Sequence, residues 1–223
     1  MTDKDAIIKQ IRADLRLAMD GVVSSSMREK GMDYKMNFGV NIPKIRLISR
    51  NYTAGKDLAE TLWRTDVREL KILATLLYPV DEFTPETAEK WAREIPNQEI
   101  REQICMNLLQ NLSFAGTLVN EWVFSSDEQL RTTGYWLFAR VAVTRSDAVR
   151  KVNTEEMVNK AIEDVSSASV FLYQAALSAL KFAGRGSKAL AGEILDRLSD
   201  YRNSPDPKQQ EIFDALRFEF NYG

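Results

Sequence analysis

The sequence predicts an all-α protein, a solenoid of antiparallel helix pairs, and three observations predict it. Capping residues stand before the second helices of successive pairs at Asp66, Asn97, Ser126, Ser166 and Asp206. That is a beat of about 30 to 40 residues, in the range of helical repeats. Apolar residues between them recur at helical spacing: Ile100, Ile104, Leu108 and Leu112 by fours, and Val170, Tyr173, Leu177 and Leu180 by threes and fours. No stretch alternates with the period of two that marks a half-buried strand. A repeat of this kind cannot bury its own apolar face and must stack on its neighbours, which predicts a curved array with function on its concave surface.

The elements follow in order. Residues 5–19 place Ile7, Ile8, Ile11, Leu15 and Ala18 on one stripe, and Ser24, Ser25 and Ser26 read as a polar break after it. Residues 34–43 contain Gly39 and end in Pro43, so they read as a loop before a helix over 44–52. Five pairs come next: 56–64 with 67–77, 85–94 with 98–112, 115–123 with 127–143, 154–165 with 167–183, and 188–202 with 207–220. Asp66 with Glu69, Ser126 with Gln129, and Asp206 with Pro207 and Gln209 have capping-box spacing, in which the polar side chains satisfy exposed backbone donors. The stretch 70–77 is apolar nearly all round, as an inner helix requires. Gly184 to Gly186 reads as a helix-ending turn, and Phe213, Leu216, Phe218 and Phe220 close the last repeat.

Composition bounds the chemistry. A chain of 223 residues with 44% hydrophobic residues can bury a sizeable core, and a solenoid of this length is expected as one domain over 1–223. The formal net charge is −2, so a nucleic-acid site has to be a local patch. Cys105, the one cysteine, sits in an apolar helical run; it reads as a small buried hydrophobe in a reducing compartment. Residues 1–16 mix charged and apolar positions at helical spacing with no continuous apolar stretch, so neither a signal peptide nor a membrane anchor is expected. The expectation is a soluble, cytoplasmic protein. The count of histidines is 0, which removes Ser-His-Asp and Cys-His nucleophiles, imidazole acid/base catalysis and most catalytic zinc sites. No phosphate-cradling glycine motif is present, and neither a metal nor a cofactor is expected. What remains is carboxylate, arginine and aromatic chemistry.

Three arginines stand out by position. Arg68, Arg101 and Arg131 lie in the first turns of three consecutive second helices, about one repeat apart, so stacking makes them rungs of one ladder. Helix N-termini already favour anions, and arginine there makes a candidate phosphate-binding strip. The other reading pairs them with nearby Glu69, Glu99, Glu102 and Glu128 as solvated ion pairs worth at most about 1 kcal/mol each. Lys44 and Arg46, with Arg50 on the same face, extend the candidate phosphate track or form a solvated face. Trp63, Trp91 and Trp122 read as packing residues on first helices, whereas Trp136, midway along a second helix, either faces the cleft or is buried.

The segment Tyr34-Lys35-Met36-Asn37-Phe38-Gly39-Val40-Asn41-Ile42-Pro43-Lys44-Ile45-Arg46 resembles the entry motif of the bacterial DNA alkylation repair family, alkylpurine DNA glycosylases built from HEAT-like repeats. Leu62-Trp63 with Val67-Arg68-Glu69-Leu70-Lys71 resembles that family's next block. Glu121-Trp122 before Ser125 to Arg131 resembles its later tryptophan-led helix. The resemblance runs over roughly residues 34–183. It implies hydrolysis of the N-glycosidic bond of cationic alkylated bases in double-stranded DNA. An inner-helix carboxylate stabilises the developing sugar cation, cleft tryptophans contact the sugar-phosphate backbone and an arginine holds phosphate, without metal or histidine.

Residue by residue the site matches less well than the scaffold. Where the family pattern has a tryptophan four residues before its catalytic aspartate, the best register gives Gln98 and Glu102, and a second register puts Asn107 at the carboxylate position. The cleft arginine falls at Thr132, with Arg131 next to it but rotated by about 100° around the helix. A second cleft tryptophan falls near Ser178. Two functions are therefore expected side by side. One is a DNA-binding repair-family protein, a candidate DNA N-glycosylase with Glu102 as carboxylate and Arg68, Arg101, Arg131, Trp136, Lys44 and Arg46 on DNA. The other is a non-enzymatic scaffold that binds a protein partner in the same groove.

Overall fold

Thirteen α-helices and four short 3-10 turns make up the regular structure of this computed structural model, which describes residues 3–30 and 34–222. In chain order the helices are α1 (Asp3–Leu17), α2 (Gly21–Glu29), α3 (Ile42–Ser49), α4 (Lys56–Trp63), α5 (Arg68–Leu77), α6 (Pro85–Arg93), α7 (Gln98–Asn107), α8 (Ala115–Trp122), α9 (Glu128–Val143), α10 (Thr154–Asp164), α11 (Val170–Gly186), α12 (Lys188–Arg197) and α13 (Pro207–Tyr222). Among the described residues the one β-type contact is an isolated bridge, Met36 to Val67. No helix among them is long and apolar enough to cross a membrane.

The chain is organised as two compact units. One comprises Met1–Thr84 with Pro96–Leu108, the other Pro85–Ile95 with Leu109–Gly223. In the first unit α4 packs on α5, and α5 is flanked by α3 and α7. Helix α5 is buried from Arg68 through Thr75, as an inner helix with neighbours on several sides must be. Ile100, Ile104 and Leu108 are fully buried, as their spacing predicts, and so is Cys105. In the second unit α9 is the hub, touching α6, α8 and α11, while α11 also packs on α10, α12 and α13. Trp63, Trp91 and Trp122 are all buried packing residues.

The five second helices, α5, α7, α9, α11 and α13, are all present, with their starts shifted in detail. Asn97 caps α7 by accepting from Ile100 N–H at 3.1 Å, and Asp206 accepts from Lys208 N–H at 2.9 Å at the start of α13. In place of Ser126, Asp127 caps α9, accepting from Gln129 and Leu130 N–H; in place of Ser166, Ser169 caps α11, accepting from Leu172 N–H. Both starts lie in runs with several competent caps, so composition left the choice to packing. At α5 the expected Asp66–Glu69 box does not form. The Arg68 N–H instead donates to Met36 O at 3.2 Å, Asp66 accepts from Lys35 N–H, and Glu69 turns inward.

Three further expectations change. The serines at 24–26 belong to a helix, α2, because Asp20 accepts from Val22 and Val23 N–H, both at 3.0 Å, and the buried Ser24 hydroxyl donates to Asn37 O. Helices α7 and α12 stop early, followed by 3-10 turns Leu109–Asn111 and Ser199–Asn203, in stretches containing Asn, Ser and Asp, which favour helix interiors weakly. The buried face of α11 is Leu172, Ala175, Ala176, Ala179, Leu180 and Ala183, so Leu177 is half-buried and Val170 exposed. Four of those six positions are alanine, and α11 packs on α9, α10, α12 and α13, so a helix with neighbours on several sides buries small residues as well as large ones.

Candidate nucleic-acid interface

The first unit is built around a buried charge cluster. The loop from Tyr34 to Val40 lies on the N-terminal turn of α5, where Phe38 and Val40 N–H donate to Glu69 at 3.0 and 3.2 Å. Gly39 makes this possible: its φ is 69°, and a Cβ there would lie 2.1 Å from Asp20 O. Arg68, only 2% exposed, donates from Nη1 to Val40 O at 2.7 Å and Glu69 at 2.9 Å, and from Nε and Nη2 to both carboxylate oxygens of Glu99 at 2.6 to 3.1 Å. The Tyr34 hydroxyl donates to Asn97 Oδ1 and Glu99 Oε2, and burial pushes its ionisation well above the ordinary tyrosine range.

The structure therefore sets Arg68 into the interior, where its carboxylates are Glu69 and Glu99. Arg101 is also buried, 4% exposed, and donates to Gln98 Oε1 at 2.7 Å; the Gln98 amide in turn donates to Glu102 at 3.0 Å. Glu102 itself is exposed. On α3, Lys44 is exposed and Arg46 half-buried, its Nη2 donating to Asn107 Oδ1 at 3.3 Å. Asn107 Nδ2 donates to Thr75 Oγ1 at 2.9 Å and lies 3.2 Å from Gln103 Oε1. Position 107 is thus an amide seated in a polar seam between α3, α5 and α7.

In the second unit Arg131 lies on α9 with its side chain 22% exposed and its Nε 3.4 Å from Asp164 Oδ2. Asp164 is buried and also faces Lys160 at 3.5 Å, and it accepts from the Tyr135 hydroxyl at 2.8 Å. Desolvation, then the Asp164 charge, raises the Tyr135 ionisation far above its usual value. Thr132 is buried at 1% exposed. Trp136 is half-buried, and its buried Nε1 finds no acceptor among the described residues. One turn on, Arg140 Nε donates to Gln110 Oε1 at 3.2 Å.

Near Ser178 the faces of α11 and α13 enclose a cavity of about 300 Å³, lined among others by Tyr173, Lys181, Lys208 and Glu211. Lys208 Nζ sits 4.1 Å over the Tyr173 ring and donates to Ser167 O. Of the residues that sequence reasoning passed over, Arg140 and Lys181 had a signal, since 136 and 140, and 178 and 181, lie at helical spacing on one face, whereas Lys208 on α13 had none. Among the described residues no group of three or more Cys, Asp or Glu is placed to hold a metal ion.

A family model described as DNA alkylation repair enzyme matches residues 11–205. A search of curated proteins by sequence finds no match. Among solved structures, one described as "A new family of proteins related to the HEAT-like repeat DNA glycosylases with affinity for branched DNA structures" is similar with a TM-score of 0.77. It shares 14% sequence identity, and the match covers 94% of this chain and 94% of that one. That likeness shows a HEAT-like repeat fold, all-α and built of helix pairs, as the sequence periodicity predicts. Since the family model spans 11–205, most of its length, the chain belongs to the DNA alkylation repair enzyme family.

Proposed function

We propose that the protein binds branched double-stranded DNA, that residues 1–223 act in this as one domain, and that it excises alkylated bases weakly or not at all. The observation that carries this reading is the state of the two candidate carboxylate positions. Glu102 is exposed, with its carboxylate on the Gln98 amide, and the alternative position is Asn107, an amide held in a polar seam that cannot serve as a base. A catalytic carboxylate needs a fixed, water-poor setting against the reacting sugar, and a misplacement of about 1 Å costs on the order of a hundredfold in rate. Family membership and the fold neighbour's affinity for branched DNA support the DNA part.

In this reading Lys44, Arg46 and Arg131 contact phosphates directly, together with Arg140, Lys181 and Lys208, and Trp136 lies along the backbone. Arg68 and Arg101 act by holding the helices that present them. The engagement of Arg68, Arg101 and Arg131 within the protein favours the scaffold alternative, in which a protein partner occupies the groove. Fluorescence anisotropy with a blunt duplex and a three-way junction, titrated with salt, separates the two. Binding should fall steeply with salt, and each of Lys44→Ala and Arg140→Ala should lower the slope of log K against log salt by about 0.9. Absence of binding to either DNA at low salt would sink the reading and leave the scaffold.

A further inference from the structure

At one end of the second unit a cleft of about 940 Å³ opens between the C-terminal ends of α9 and α11 and the start of α12. Its lining contains Arg145, Arg150 and Arg185 with no carboxylate, and beside them Phe138, Val143 and Phe182. Arg185 lies 4.8 Å over the Phe182 ring and is ion-paired with Glu219. The side chain of Arg150 is 84% exposed, with Asp147 of the same turn as a loose partner at 3.8 Å. Arg145 is exposed, and no ion pair holds it among the described residues.

The backbone at Arg145 adds weight. Arg145 N–H donates to Ala142 O and Ser146 N–H to Val141 O, the Schellman ending of α9, with Arg145 at the left-handed position, φ 50°. Glycine is the residue this position favours, and an arginine there holds a less stable backbone. The dipole at the end of α9 explains a cation in the last turn, where Arg140 already stands. It does not explain one at the strained position beyond it. A cleft that combines arginines with an aromatic ring, and is large enough for more than a phosphate ion, matches the chemistry of an unpaired nucleotide strand. Phosphates meet guanidinium groups, and a base stacks on a ring or an arginine plane.

We propose that this cleft takes a single-stranded DNA segment, phosphates on Arg145 and Arg150 and a base against Phe182. The inference rests on the DNA-binding reading and deepens it: the branch of a junction is where duplex DNA offers unpaired strand. The probe is a labelled oligo-dT of about ten nucleotides, titrated with the full chain beside a blunt duplex. The double variant Arg145→Ala/Arg150→Ala should weaken oligo-dT binding by about tenfold or more and lower its salt slope by about 1.4, two contacts' worth for a single strand. Phe182→Leu should weaken it with the slope unchanged. Blunt-duplex binding should stay within about twofold in both. Arg145→Gly should raise Tm yet weaken oligo-dT, a pairing that misfolding cannot produce. Oligo-dT that does not bind the wild type, or binds all variants equally, overturns the proposal. If the duplex still binds in that case, only this cleft is refuted; if neither DNA binds, the DNA-binding reading falls with it.

Discussion

At the scale of single residues, Arg68 and Glu99 carry a lesson about position and environment. The cap pattern located Arg68 correctly, at the start of an inner helix. It gave no sign that the loop before α3 would fold over that helix end and take the guanidinium inside, because loop trajectories are set by contacts distant in sequence. Arg68→Met leaves Glu69 and Glu99 as uncompensated charges, so it should cost roughly 3–5 kcal/mol in urea unfolding. A fall below about 1 kcal/mol would mean the pair is solvated after all. Tyr135 makes the second prediction. Its ionisation is raised by burial and by Asp164, so in the folded state it stays protonated where an unfolded tyrosine ionises, at about pH 10. That contribution is complete below pH 10 and is lost as pH rises above it. Tyr135→Phe should therefore flatten the alkaline decline of stability; an unchanged slope between about pH 9 and 11 would show the hydroxyl is not protected.

At the scale of elements, the five helix pairs were legible because period, cap and turn residues agreed, and the errors lie where several residues competed for one role. The serines of α2 look like a break until Asp20 is seen to cap them and Asn37 O to receive the Ser24 hydroxyl. The apolar rhythm of α11 pointed to Leu177, but the buried face includes four alanines, which a reading by large apolar residues alone does not weigh. Two glycines test this view of helix contacts. Gly192 lies in α12 with open space beyond it, so Gly192→Ala should stabilise by up to about 1 kcal/mol. Gly116 lies in α8, where a Cβ would be 2.4 Å from Ala148 O in the turn Asp147–Lys151; Gly116→Ala should instead destabilise by about 1–3 kcal/mol. Thermal or urea unfolding of the two variants should give opposite signs, and equal signs would show that helix propensity outweighs contact.

At the scale of the whole molecule, the fold was readable and the site was not. Stacking depends on many apolar positions, whereas a cleft depends on a few side chains whose orientation a one-residue register shift changes; Glu102, Gln98 and Asn107 illustrate it. Release of cationic methylated purines from DNA should be near background for the wild type and for Glu102→Gln alike. Robust release that collapses in Glu102→Gln would identify a working carboxylate. The order of the chain holds one more consequence. Pro85–Ile95 belongs to the second unit and Pro96–Leu108 to the first, so neither unit is a continuous stretch. During synthesis the ribosome delivers the first helix of one unit before the last helix of the other. Until α7 emerges, Arg68 and Glu69 lack Glu99, and the nascent first unit carries an incomplete charge cluster. A truncation after Thr84 freezes that state permanently, and no contiguous fragment can isolate either half of the protein.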